Sequence, residues 1–580
     1  MIRMASSEVT HPLVTLARAF AALYPWPVEP GDELAEALSF LGLERDLPPK
    51  TVVRAGYGAG VASALPVAFL TVTPAPLVSV LPFLVLVPLA TIHAVHSLPG
   101  LIAAFQRTEA LGDAPNLVGR TVLRMQVQPS LESAVRFAAE TGRGPLAASL
   151  AAHIDRSLGT PETGLLSFAD EWADRFPALR RSAHLLATAQ EAPEAERART
   201  LDRALEAILD GTRERMAEFT AAIRAPTSAL FAFGVMLPLA LVALVPAVPM
   251  VGLPVNIWMV VLLYNVALPA VLVAASLWLL VRRPVAFPPP SVDRDHPDLP
   301  DGLWRRSLAG VAVGVAAHAA IGRVGYPHLA PVAGVGLGLG TGLLAIYDPI
   351  LSVRHSVKDV EAHLTDALYL VGRQVAEGES VESAVALAGD RVPAETGEVF
   401  RTAAALQRRL HVDVEAAFLG EYGALRTVPS PRARSTAALL AIAADEGRPA
   451  GRAIVSMADH LEDLEELERK TKRDLEQVTG TLDNTAACFG PLVAGATVGL
   501  ADMMAGIDVQ GTTGSTAFPT DPLALSIGAF VLTLCFVLIP LSYALRYGLD
   551  GALFGYHTGR ALLSATVVYV VAIVAIDLLL

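Results

Sequence analysis

Nine long apolar runs constrain the fold of this chain more than any other feature of its sequence. Most have about 17 to 25 residues with few or no charges, the length that an α-helix needs to cross a membrane. The runs lie at about 55–72, 76–92, 227–247, 253–281, 307–322, 328–347, 485–504, 522–544 and 561–580. The 580 residues are 53% hydrophobic and 17% charged, which is too apolar for soluble domains alone. We therefore predict an all-α polytopic membrane protein with about nine transmembrane helices.

Two polar blocks separate these runs and define the expected domains. The first block covers residues 93–226 and the second covers 348–484. Around them we predict an N-terminal helical segment (1–54), transmembrane hairpins (55–92, 227–281 and 307–347), a proline-rich linker (282–306) and three C-terminal transmembrane helices (485–580).

The distribution of basic residues predicts the orientation of the chain. If the nine runs cross a membrane in alternating directions, 43 of the 44 Arg and Lys residues fall on one side and only Arg323 falls on the other. Basic loops are retained in the cytoplasm. We therefore expect a multi-pass protein of the cell membrane, with the N-terminal segment, the linker and both polar blocks in the cytoplasm and Leu580 outside.

A short polar pattern occurs twice and indicates an internal repeat. Residues 130–135 read SLESAV and residues 380–385 read SVESAV, and each follows an LVGR sequence, at 117–120 and 370–373. Pro238 and Pro491, in the apolar runs that follow the two blocks, are 253 positions apart. The repeated unit would be a membrane hairpin, a polar block and further membrane helices. Chance similarity between alanine-rich helices is the alternative.

The periodicity inside both blocks is helical. In each copy of the repeated pattern a serine can cap a helix, a glutamate occupies the first turn and apolar residues recur at i, i+3 and i+4. This pattern predicts that Ser383 and Ala384 are buried and that Glu382 faces outward. Thr160 and Ser430, each followed by proline, are also predicted N-caps. Each block should be a bundle of about five or six helices.

The last helix of each block runs directly into a membrane helix. Residues 456–484 form an amphipathic pattern that continues into the seventh apolar run, and residues 201–233 make the same transition after the first block. A displacement of either block would therefore be transmitted to the membrane.

Four common motifs of catalytic or redox sites are absent from the sequence. There is no GxxxxGK[ST], HExxH, GxSxG or CxxC pattern, the histidines are scattered, and both cysteines lie in apolar runs. We therefore predict no catalytic residue, no cofactor and no metal site. The net charge of -13 argues against a nucleic-acid partner. Glycine motifs at 310–314, 333–342 and 495–499 predict close helix packing, either within the chain or in a homodimer.

Two alanine-rich helical blocks, each opened by an SxESAV helix and each leading into the membrane, resemble the F-domain platform proteins of type II secretion, type IV pili, Tad pili and the archaellum. The tandem layout is most similar to archaeal members, and AEGESVESAVALAG (376–389) carries the motif. The first block departs from it, since Gln128 and Pro129 replace the glycine-containing turn. The resemblance implies a scaffold in membrane lipid that couples a hexameric cytoplasmic secretion ATPase to the insertion of pilin-like subunits into a filament.

The charge of the blocks suggests where a partner would bind. Residues 347–482 carry 23 acidic and 16 basic residues, whereas residues 93–225 carry 17 and 15. An acidic helical surface could dock a basic patch of a partner, although a solvated surface explains the same charges. The candidate partner-binding residues are Glu132, Arg136, Glu382, Glu462, Glu465 and Glu466.

Two other classes of function fit the same layout. One is a polytopic transporter with cytoplasmic regulatory domains, and the other is a membrane-bound regulatory receptor. A transporter usually carries ionisable residues near the middle of its membrane helices. Here Asp502 and Asp577 lie near the predicted helix ends, so we favour the platform.

Overall fold

The computed structural model is helical, with turns and loops and with no strand among the residues that it describes. The prediction of an all-α protein is therefore confirmed for these residues. Contacts divide the chain into two units, Met1–Thr108 with Asn256–Leu262 and Glu109–Val255 with Leu263–Leu580. The described residues are 14–69, 77–142, 144–157, 164–242, 244–245, 257–284, 287, 289–290, 292, 296–300, 302–446, 450–505 and 520–579.

The first unit is built around an antiparallel pair of long helices. A Cβ atom on Gly56 would lie 2.3 Å from Nε2 of His96, and a Cβ atom on Gly60 would lie 2.5 Å from the Ile92 side chain. The two helices thus approach closely where glycine leaves room. The helices that begin in this unit are α1 (14–22), α2 (Asp32–Phe40), α3 (Pro49–Phe69), α4 (Leu77–Gly112) and, later in the chain, α12 (Ile257–Leu262).

Six helices of the first polar block form what we call the first bundle. They are α5 (Ala114–Val127), α6 (Leu131–Thr141), α7 (Pro145–Ser157), α8 (Gly164–Ala173), α9 (Pro177–Glu191) and α10 (Glu194–Phe231). Consecutive helices pack against one another, and α10 closes the bundle on α5. Two short apolar helices, α11 (Leu237–Val242) and α13 (Leu268–Val281), belong to the same unit.

The second half of the chain repeats this arrangement. A glycine-rich pair, α14 (Leu303–Val324) and α15 (Ala330–Glu361), precedes the second bundle, and three apolar helices follow it: α22 (Gly490–Ala505), α23 (Thr520–Tyr547) and α24 (Gly551–Leu579). The second bundle consists of α16 (Leu364–Glu377), α17 (Val381–Arg391), α18 (Ala394–Leu410), α19 (Val414–Leu419), α20 (Pro431–Glu446) and α21 (Ala450–Asn484).

The two long helices that end the bundles carry a matching irregularity. Helix α10 continues into α11 through a π-helical segment, Ala232–Met236, and α21 continues into α22 through another, Thr485–Phe489. The two segments begin 253 residues apart, as do Pro238 and Pro491 just beyond them. A third π-helical segment, Leu263–Ala267, joins α12 to α13. The same local geometry thus recurs at the same place in both halves, as an internal repeat requires.

The two copies of the repeated pattern begin helices in the same way. The Ser130 Oγ accepts a hydrogen bond from the Ser133 N–H at 3.3 Å, and the Ser380 Oγ accepts one from the Ser383 N–H at 3.2 Å. Each bond satisfies a backbone donor in the first helical turn. The Ser430 hydroxyl caps α20 by the same bond, so these predicted N-caps are confirmed.

The prediction that Ser383 is buried was wrong. The buried stripe of α17 consists of Val381, Ala384, Val385 and Ala388, whereas Ser383 and Glu382 are exposed. Ser383 is about 100° away from Ala384 around the helix, and its hydroxyl is bonded to the capping Ser380. The predicted N-cap at Thr160 lies outside the described residues.

The glycine motifs serve packing within the chain. A Cβ atom on Gly310 would lie 2.4 Å from the Gly338 carbonyl oxygen, and one on Gly314 would lie 2.7 Å from that of Gly334. These contacts bring α14 and α15 together along their length. The motif at 495–499 packs on α24, where a Cβ atom on Gly495 would meet the Tyr569 carbonyl oxygen at 2.7 Å. A homodimer contact through these glycines stays a prediction.

Eight helices among the described residues are long and apolar enough to cross a membrane, in agreement with a multi-pass membrane protein. They overlap eight of the nine predicted runs. The other run, 55–72, falls on α3, which is not among the eight, and its last residues lie outside the described ranges. The longest candidate, Ala450–Met503, has 54 residues, whereas about 20 cross a bilayer. Its polar first part, which ends at Asn484, is therefore not needed for the crossing.

Candidate functional site

A cluster of carboxylates lies on one side of α21. Asp459, Glu462, Asp463 and Glu466 are spaced at i, i+3, i+4 and i+7, so the helix places them on one stripe. Asp202 of α10 lies close enough to Asp459 for the charge of Asp459 to affect the ionisation of Asp202. We call these five residues the acidic surface. It combines side chains from the last helix of each bundle.

Among the described residues, the ion pair of the acidic surface is formed by Arg213. Arg213 of α10 lies 3.9 Å from Asp463, a distance at which an exposed pair contributes little. Partial burial raises the pKa of the Asp463 carboxyl, Arg213 lowers it, and Glu466, Asp459 and Glu462 raise it further. The negative charges therefore repel one another, and a basic partner would relieve that repulsion.

A tyrosine of α16, another helix of the second bundle, contacts the acidic surface. The Tyr369 hydroxyl donates hydrogen bonds to the carboxylates of Asp459 and, at 3.3 Å, Glu462. The bond to Asp459, together with desolvation and the nearby negative charge, holds the pKa of Tyr369 well above its usual value. Tyr369 therefore stays protonated and orients two carboxylates of the acidic surface.

Glu465, although predicted with Glu462 and Glu466, belongs to a different cluster. Its side chain turns toward Arg469, 3.8 Å away, and toward Arg432 of α20. Arg432 also forms an ion pair with Glu468 and lies 4.0 Å from Glu361. This network joins α15, α20 and α21. Glu465 thus helps to hold the second bundle together rather than facing a partner beside Glu462.

The remaining predicted residues lie on helices opened by the repeated pattern. Glu132 and Arg136 are exposed on α6, one turn apart, and Glu382 is exposed on α17. None of the three is part of the acidic surface. Of the six predicted residues, only Glu462 and Glu466 are brought together.

The two bundles contact each other beside the acidic surface. Gln126 of α5 donates a hydrogen bond to the Ser456 hydroxyl of α21 at 3.1 Å. One turn further along α21, the His460 ring fills the space above Gly119, where a Cβ atom would lie 2.2 Å from Nε2. Leu123 of α5 belongs to the same apolar cluster as the core of the second bundle. The first helix of one bundle therefore packs on the last helix of the other.

His460 is an unusual residue at this contact. It lies in the polar part of α21, is 4% exposed, and neither ring nitrogen has a hydrogen-bond partner among the described residues. Burial, together with the positive charges of Arg432 and Arg120, lowers the pKa of His460 to about 4. The ring is therefore neutral at physiological pH and fills the space between the two bundles.

Sequence reasoning missed Asp202, Tyr369, Asp459 and Asp463. The spacing of the acidic residues between 459 and 466 was a usable signal for the stripe on α21. No local pattern connects Asp202 or Tyr369 with that stripe, because they lie on other helices.

The described residues include no group of three or more side chains that could hold a metal ion. Comparisons with protein-family models, with curated proteins and with solved structures find no match to this chain. A functional assignment therefore rests on the acidic surface, the contact between the bundles and the helices that enter the membrane.

Proposed function

We propose that this protein is a membrane platform for the assembly of pilus-like filaments or for protein secretion, with both bundles in the cytoplasm. The observation that carries the proposal is the matched pair of long helices. Both α10 and α21 pass from a bundle into an apolar helix through a π-helical segment at the same position of the repeat. π-Helical segments inside α-helices occur frequently at functional sites.

The contacts of α21 support a role in transmitting motion. At its membrane end, Arg546 of α23 donates hydrogen bonds to the Thr479 hydroxyl at 2.7 Å and to Asp483 at 2.6 Å. Within the π-helical segment, the Ala487 carbonyl accepts a bond from the Ser564 hydroxyl at 2.9 Å. A displacement of the second bundle along α21 would therefore pull directly on α23 and α24.

The acidic surface is the proposed docking site for the hexameric cytoplasmic secretion ATPase. It lies where α10 and α21 adjoin, so a partner bound there would act on both long helices at once. A basic surface on the ATPase would associate faster because of the complementary charge. In this scheme the pilin-like subunits are received by the membrane helices, as the resemblance to platform proteins implies.

A charge-reversal experiment in the native host tests this proposal. We expect the double variant Glu462→Lys, Glu466→Lys to reduce co-purification of the ATPase at least about tenfold, which corresponds to about 1.4 kcal/mol. The variant Glu415→Lys, Glu421→Lys carries the same charge change on exposed residues at α19 and in the loop after it, and it should bind normally. Filaments counted by electron microscopy should decrease only for the first variant.

Two results would contradict the platform function. The first is a combined result: no ATPase co-purifies with the unaltered protein, and a strain in which the gene for this protein is deleted still makes normal filaments. The other is solute transport by the purified chain in proteoliposomes, which would favour the transporter instead.

A further inference from the structure

An apolar surface is exposed at the start of the chain, on α1 and the residues that follow it. Leu16, Leu23 and Trp26 have 55%, 54% and 60% of their surfaces exposed. Leu16 lies in α1, Leu23 is the turn residue directly after it, and Trp26 follows three residues later. A surface of this kind is unfavourable in water unless something covers it.

The position of α1 on its own unit is well defined. The Tyr24 ring stacks on Tyr57 of α3 with centroids 4.8 Å apart, and the Arg54 Nε donates a hydrogen bond to the Trp26 carbonyl at 3.2 Å. A Cβ atom on Gly58 would lie only 1.9 Å from the Phe20 carbonyl oxygen. The segment 14–26 is therefore packed on α3 while Leu16, Leu23 and Trp26 stay exposed.

These contacts place α1 at one end of a band of exposed apolar side chains. On α3 the band begins at Val61 and continues to Leu65, and on α4 it includes Val85, Leu86 and Leu89. Tyr57, which stacks on Tyr24, precedes Val61 by four residues, or about 6 Å along the helix axis. No residue is buried in the most apolar stretch of α4, which is one of the candidate membrane spans.

We propose that α1 lies along the membrane surface, with Leu16, Leu23 and Trp26 inserted among the lipids. Through the contacts of Phe20 with Gly58 and of Tyr24 with Tyr57, these apolar residues adjoin the exposed apolar band of α3 and α4, so the same bilayer would cover both. Tryptophan and tyrosine are enriched at membrane interfaces, and a neighbouring arginine can reach the headgroups. Arg54 occupies such a position next to Trp26.

Fluorescence of the full-length chain in lipid nanodiscs tests this assignment. A chain that keeps Trp26 alone is made by replacing the other four tryptophans with phenylalanine: Trp172, Trp258, Trp278 and Trp304. The nanodiscs contain phosphatidylcholine and phosphatidylglycerol with or without brominated acyl chains. Insertion by about 5–10 Å brings the indole close to the bromine atoms, so the emission should fall at least about twofold.

A matched control keeps Trp172 alone, which is 3% exposed inside the first bundle and should not respond to brominated lipid. The proposal is overturned if Trp26 emission is unchanged by brominated lipid and is quenched by aqueous iodide. It is also overturned if the emission changes only when two copies share a nanodisc, because a second copy would then cover the surface.

A second measurement keeps the assignment testable if the tryptophan replacements prevent folding. A nitroxide is attached to Leu16→Cys in a chain with Cys488→Ser, since Cys535 is buried. We expect the label to be more accessible to oxygen, which partitions into lipid, than to a water-soluble nickel chelate. The reverse order of accessibility would place α1 in water and refute the proposal.

Discussion

The variant Ala384→Asp probes whether the repeated pattern is a packing element. Ala384 is 1% exposed and belongs to the apolar core of the second bundle together with Val381 and Ala388. An aspartate there would bury a carboxylate among apolar side chains, at a cost of about 3 kcal/mol or more. For a domain of this size the midpoint of thermal unfolding should fall by about 10 °C.

The neighbouring variant Ser383→Asp is the matched control. Ser383 is exposed and lies in the first turn of α17, where a negative charge stabilises the helix by about 0.3–1 kcal/mol. The same pair of changes can be made in the first bundle at Ala134, which is 0% exposed, and at Ser133. If the repeat is structural, both bundles should respond alike.

The assay is the loss of the monodisperse fraction of the purified full-length protein on heating, followed by size-exclusion chromatography. Proteolysis of the heated sample identifies the bundle that opened. Equal stability of Ala384→Asp and Ser383→Asp would refute the packing argument. Opposite responses of the two bundles would mean that the similarity of their sequences is accidental.

Stability should also depend on pH through His460, because its pKa of about 4 in the folded chain is below the ordinary value of 6.5. Between these two pKa values the unfolded chain binds more protons than the folded chain, so the free energy of unfolding decreases as the pH falls. The decrease should be about 2 kcal/mol at pH 5 relative to neutral pH. The variant His460→Met should remove this dependence in thermal unfolding measured from pH 5 to 7.5. Gly310→Ala should separate α14 from α15, at a cost of about 1–3 kcal/mol. Gly322→Ala, where the nearest atom is 3.9 Å away, should unfold at the original temperature.

The membrane helices and the helix starts could be predicted because their causes are local. A run of apolar residues must satisfy its own backbone hydrogen bonds in lipid, so its length alone predicts a helix. A serine before a helical pattern can accept a hydrogen bond from a backbone N–H of the first turn, as Ser130 and Ser380 do. Ser383 was misplaced because one residue changes the direction of a side chain by about 100°.

The candidate site could be predicted only in part, because its other half comes from distant helices. Glu465 and Glu466 are neighbours in the sequence with the same chemistry. The helix directs them about 100° apart, but that Glu465 meets Arg432 depends on the position of α20, which its own segment does not encode. The position of His460 over Gly119 likewise depends on how the bundles meet. No sequence pattern around His460 or around Gly119 predicts that contact.

The π-helical segments also change the direction in which the following side chains point around the helix axis. An α-helix advances about 100° per residue, and a π turn holds one residue more than an α turn. Beyond Ala232–Met236 and Thr485–Phe489, the side chains are therefore turned by about 100° relative to an uninterrupted helix. The buried residues Leu475, Thr479 and Leu482 of α21 are therefore continued by Ala494, Val498 and Ala501 of α22 in a sequence register shifted by about one residue. Each half of these helices can thus match its own surroundings, one in water and one in lipid, along a single unbroken backbone.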